Sequence, residues 1–144
     1  MIRTVMSLSS ASALFMLSAL PSLAANLTVR VTGIAQQSGE IGCALHANGA
    51  AFPTGQANTR TVWTKATASS VQCRFEGVAS GSYAVAISHD LNGNRKTDTN
   101  FVRMPTEAWG VSNNVRPTLR APRFDEALFV MDTQDRTITV RIQR

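Results

Sequence analysis

The chain has 144 residues, with 14 Lys plus Arg against 9 Asp plus Glu, two histidines and two cysteines. That length leaves room for one domain beside an export segment, and the modest positive charge bears on solubility and anionic partners rather than on fold. The cations are not interleaved with aromatics, which argues against a nucleic-acid partner, and the chain carries no HExxH and no phosphate-cradling glycine loop.

In chain order, Met1–Ala25 reads as a secretory signal peptide: Arg3 is the positive start, Val5–Leu20 the apolar stretch, and Pro21–Ala25 supplies small residues for cleavage. Its core, Ala13–Leu20, is far shorter than the roughly 20 apolar residues of a membrane span. No transmembrane segment is therefore expected after cleavage. A single domain, 26–144, is expected in the periplasm or outside the cell, with 13 cations against 9 acids once Arg3 is gone.

Leu27, Val29 and Val31 alternate with Thr28, Arg30 and Thr32, the period of a half-buried strand. After the turn Gln36–Gly39, Ile41, Cys43 and Leu45 alternate with Gly42, Ala44 and His46, predicting a second strand hairpinned to the first, with His46 on the surface. Residues 47–60 read as a loop anchored by Phe52, and 61–66 as a strand in which Trp63 packs. Val71, Cys73 and Phe75 define the next strand, and 77–82 a tight turn. Tyr83, Val85, Ile87 and His89 share one face of the strand that follows. Its other face carries only Ala84, Ala86 and Ser88, as on a central strand with something packed close. Residues 99–123, with Pro105, Pro117 and Pro122, show little periodicity and predict one long ordered loop, pinned by Phe101, Met104, Trp109, Val111 and Leu119. Phe124–Met131 is expected as a strand, and Ile138, Val140 and Ile142 as the inward side of the last one.

Short strands at regular spacing without a strong helix predict an all-β fold, an antiparallel β-sandwich of about seven strands, prealbumin- or immunoglobulin-like. Cys43 and Cys73 both fall on inward phases, so a disulfide across the core is expected in an oxidising compartment, with two buried thiols as the alternative.

Two stretches carry a resemblance. Phe75–Val85 resembles the strand–turn–strand signature of prealbumin-like sandwiches such as the carboxypeptidase regulatory and collagen-binding B-type repeats, with Ala79-Ser80 where those have proline. His89-Asp90-Leu91-Asn92-Gly93-Asn94, followed by Asp98–Phe101, Pro105, Gly110–Asn114, Phe124–Ala127 and Ile138–Val140, is similar to the bacterial family called domain of unknown function 2141. The resemblance implies a prealbumin-like sandwich and no particular activity. A glycine is common in that family where this chain has Arg95.

Asp90, Asn92, Asn94 and Asp98, with the Lys96 carbonyl, stand at positions 1, 3, 5, 9 and 7 of a calcium-type loop, an oxygen-donor set suited to a hard cation. Arg95 stands where such loops have glycine, and Phe101 where they have a bidentate Glu; Glu107, Asn113 or Asn114 are candidates to complete the shell. The same residue types build tight turns, so a purely structural loop is the competing reading. His89, Trp109, Asn113, Asn114 and Arg116 are candidate binding residues beside it. The expected role is a binding or accessory module rather than an enzyme, holding calcium weakly if any cofactor. Its partner would be an envelope protein, a glycan or an anionic surface. A hydrolase using the 89–114 loops and a passive envelope component are the alternatives.

Overall fold

The structure is a computed structural model describing residues 24–102 and 104–144. Apart from Ala24 and Ala25, the expected signal segment lies outside the described residues. Eight strands form two sheets: β1 (Ala24–Thr32), β2 (Glu40–His46), β3 (Thr59–Lys65), β4 (Ser70–Ala79), β5 (Gly81–Asp90), β6 (Trp109–Val111), β7 (Phe129–Met131) and β8 (Arg136–Arg141). One sheet has the order β4-β1-β8. The other has β3-β2-β5-β6, with β7 pairing the first residues of β5 beyond the end of β6. The fold is an all-β sandwich.

The strand phases set the core. Leu27, Val29 and Val31 of β1 and Cys73 and Phe75 of β4 meet Ile41, Cys43 and Leu45 of β2 and Val85 and Ile87 of β5, all buried. Each such side chain contributes roughly 1.5–3 kcal/mol on leaving water. Cys43 and Cys73 are joined, with Cα atoms 6.3 Å apart, and the bond ties β2 of one sheet to β4 of the other.

Pairing departs from the expectations in several places. β2 does not hairpin with β1; it pairs β3 and β5, while β1 pairs β4 and runs parallel to β8, so the sandwich is not wholly antiparallel. Alternation fixes which way a side chain points and leaves its neighbouring strand open. The 77–82 turn shrinks to Ser80, because β4 continues through Gly77 (φ +61°) to Ala79 by a bulge opposite Asn26. The 99–123 segment contains β6 and a 3₁₀ turn, Ser112–Asn114. Val111 is buried in it, but Phe101 and Leu119 are 97% and 95% exposed and Met104 is also exposed, so these three do not pin it. Phe124–Met131 splits into a short helix, α1 (Phe124–Ala127), and β7.

His46 is 1% exposed, not a surface residue. Phe52 folds back edge-on to its ring at 5.2 Å and meets Phe124 at 5.9 Å. With Ala84, Val111 and Ala127 these rings form a second, smaller cluster that covers one end of the outer face of the five-stranded sheet.

Candidate functional site

Registers on the five-stranded sheet align outward-facing residues into rows. Trp63, Gly42, Ser88 and Trp109 make one row across β3, β2, β5 and β6; Thr61, Ala44, Ala86 and Val111 make the next. The tryptophans stand at the two ends, about 14 Å apart by three strand spacings. Gly42 and Ser88 between them leave the floor low. Trp63 leans inward over Gly42: a Cβ there would lie 2.7 Å from its ring. The result is a groove of about 510 Å³, walled by Pro53–Gln56, by residues 95–97, Thr99, Val102, Met104 and Pro105, and by 117–122. That volume is within the usual range for small-ligand sites. The small-residue phase of β5 and its match on β2 are the only sequence signs of this floor; the walls come from loops without periodicity.

The 90–98 loop forms part of one wall. Asp90 is fully buried, and its carboxylate accepts backbone N–H bonds from Gly93 at 2.8 Å, Asn94 at 3.3 Å and Arg95 at 2.6 Å. Asn92 Oδ1 accepts from Asn94 N–H at 3.1 Å, and Asn94 Oδ1 from Lys96 N–H at 2.8 Å. Both Asn side-chain amides donate to Asp98, at 2.5 and 2.9 Å. The structure thus gathers Asp90, Asn92, Asn94 and Asp98 as the sequence suggested, curled by left-handed Gly93 (φ +78°) and by Arg95 itself (φ +55°). Their side-chain oxygens accept the loop's own N–H groups. Among the described residues, no group of three or more His, Cys, Asp or Glu side chains is placed to hold a metal ion. As arranged, the donor set fits a self-satisfied turn better than a cation shell.

Glu107 reaches the loop as suspected: it is 6% exposed and its Oε1 accepts from Leu91 N–H at 2.8 Å. Asn113 and Asn114 do not. Asn113 donates to the carbonyls of Glu126 and Leu128, and Asn114 accepts from Arg141 N–H at 2.8 Å. His89 is buried beneath the loop, its Nε2 2.8 Å from the Ser38 carbonyl. Arg95 pairs with Glu40 at 3.1 Å and lies over Trp63, 5.3 Å from the ring centroid. Arg116 lies 4.2 Å over Trp109 and donates to the Trp109 and Gln143 carbonyls. On the far wall Arg120 holds Glu126 at 2.6 Å. The Glu126 carboxyl falls to about 2, first through that bond and then through the Arg123 N–H.

Residues 29–139 match the family model described as an uncharacterized protein conserved in bacteria, DUF2141. The chain belongs to this family. No curated protein and no solved structure matches the chain. In this DUF2141 chain the matched region includes every strand that floors the groove.

Proposed function

We propose that the chain is an exported binding module, periplasmic or secreted, whose ligand site is the groove between the outer sheet face and its loops. The observation that carries this reading is the Trp63–Gly42–Ser88–Trp109 row: two aromatic walls with a glycine and a serine between them, on a face filled by Phe52 and Phe124 at its other end. The inter-sheet disulfide supports an oxidising compartment. We assign the 90–98 loop a structural role as a rigid wall, supported by the engagement of its oxygens. The non-enzymatic reading is supported by the state of a serine and a histidine within the 89–114 loops. Ser112 is buried, accepting from Val85 N–H at 3.0 Å and donating to the Ala127 carbonyl, and His89 is held on Ser38.

The test is intrinsic fluorescence, because both tryptophans of the chain line the groove. Fractionated envelope lipids and glycans are titrated into the purified, disulfide-bonded chain. A saturable spectral shift from one fraction, lost in Gly42→Val with the melting cooperative, is the expected result. No response from any fraction sinks the reading.

A further inference from the structure

We infer that the groove takes a single-chain amphiphile with a carboxylate head, a fatty-acid-type anion; this deepens the groove reading above and rests on it. Charge complementarity is the first ground. Among the described residues, the lining contains Arg95, Lys96 and Arg120 and no Asp or Glu. Arg95 and Arg120 are each paired behind the wall, with Glu40 and Glu126. Lys96, exposed at the rim, has no carboxylate within ion-pair distance among the described residues. Among the described residues, Lys96 is therefore the lining cation left to meet an incoming acid.

The second ground is the apolar mouth. Four of the five large apolar side chains exposed among the described residues, Phe101, Val102, Met104 and Leu119, lie on the two loop segments that flank the groove, and the last three line it. Apolar surface gathered at a concavity marks a contact site. An acyl chain would cover it and lie along the Gly42–Ser88 floor.

A sugar fits less well. Pyranose rings need an open aromatic face and planar polar partners. Trp63 is pressed onto Gly42 on one side and has Arg95 over its ring, and the lining offers Gln56 as its one side-chain amide. The groove volume of about 510 Å³ is in the range of sites for one small ligand.

The experiment titrates dodecanoate into the disulfide-bonded chain, below the micelle concentration, with tryptophan emission as readout. Dodecyltrimethylammonium and dodecyl maltoside serve as charge-reversed and neutral-sugar controls. Saturable binding of dodecanoate is expected, with Lys96→Glu about three- to fivefold weaker, as suits one exposed charge. Leu119→Asp, at a position too exposed to disturb the fold, is expected to abolish saturation. Equal affinity for the cationic detergent, or no loss in Lys96→Glu, overturns the anionic head. A response to dodecyl maltoside as strong as that to dodecanoate likewise overturns the anionic head, and a response to glycan fractions alone overturns the acyl chain while leaving the groove as a site. Silence from every amphiphile and every envelope fraction removes both.

Discussion

The outer face of the five-stranded sheet has two halves built from the same strands and similar small residues. At one end, Ala84 and His46 are covered by Phe52, Phe124 and Ala127; at the other, Gly42, under the Trp63 ring, and Ser88 form the floor of the groove between two tryptophans. Small residues facing a filler serve packing. Small residues with no large side chain over them leave a groove, whose lining lacks the dispersion contacts that a filler would supply. On the binding reading proposed above, the closed half serves stability and the open half the ligand, and the two should come apart under mutation.

The largest effect should fall on both halves at once. Replacing Cys43 and Cys73 together by alanine releases a loop with a sequence separation of 30. The chain-entropy argument gives a loss of about 3.5 kcal/mol, with a melting temperature lower by roughly 10–15 °C in calorimetry. Groove binding below that temperature should survive, since the staple lies on the inner face. Next comes the loop wall. Asp90→Ala strands three N–H groups that now share a buried carboxylate, and about 2–3 kcal/mol is expected from urea denaturation. Millimolar calcium should leave the melting temperature of wild type and of Asp90→Ala unmoved; a rise confined to wild type would restore the cation reading of this loop. The sharpest separation is Phe52→Ala against Trp63→Ala. The first opens the closed half and should cost about 2 kcal/mol with ligand affinity kept. The second should cost less than about 1 kcal/mol, as a half-buried residue does, and lose binding. Equal stability losses with equal binding would erase the distinction between the halves.

The strand faces were legible because apolar alternation is a direct record of burial: Leu27, Val29 and Val31, and the inward phases of Cys43 and Cys73, landed where read. Pairing was not legible. Nothing in the pattern of β1 says that it lies parallel to β8 rather than beside β2. β6 escaped because Trp-Gly-Val is too short to show a period. The loop from Asp90 to Asp98 is legible in its Asp and Asn spacing, but turns and cation loops use the same residues, and the directions of the N–H groups are what separate them. The groove was half legible, through the small faces at Gly42, Ala44, Ala86 and Ser88. Its walls come from segments rich in proline and glycine, whose positions depend on tertiary contacts.

His46 gives the smallest and most specific test of the closed half. The Thr59 hydroxyl donates to the Ala57 carbonyl at 3.1 Å, so its oxygen is left to accept from His46 Nδ1–H at 3.3 Å. Nε2 is then the basic nitrogen, buried without a partner among the described residues, and burial lowers the ring's affinity for a proton below the usual 6.5. The unfolded chain keeps the ordinary value. It therefore binds more protons than the folded chain as pH drops below 6.5, and stability present in full above that point is lost toward the depressed folded value. The loss is at most about 1.4 kcal/mol per pH unit. In His46→Phe, which keeps an aromatic ring against Phe52, the melting temperature should fall less than in wild type between about pH 7.5 and pH 5.5. Parallel curves would mean that the ring can shed its cover and take up the proton in the folded state, and the closed half would then be no more closed than the groove.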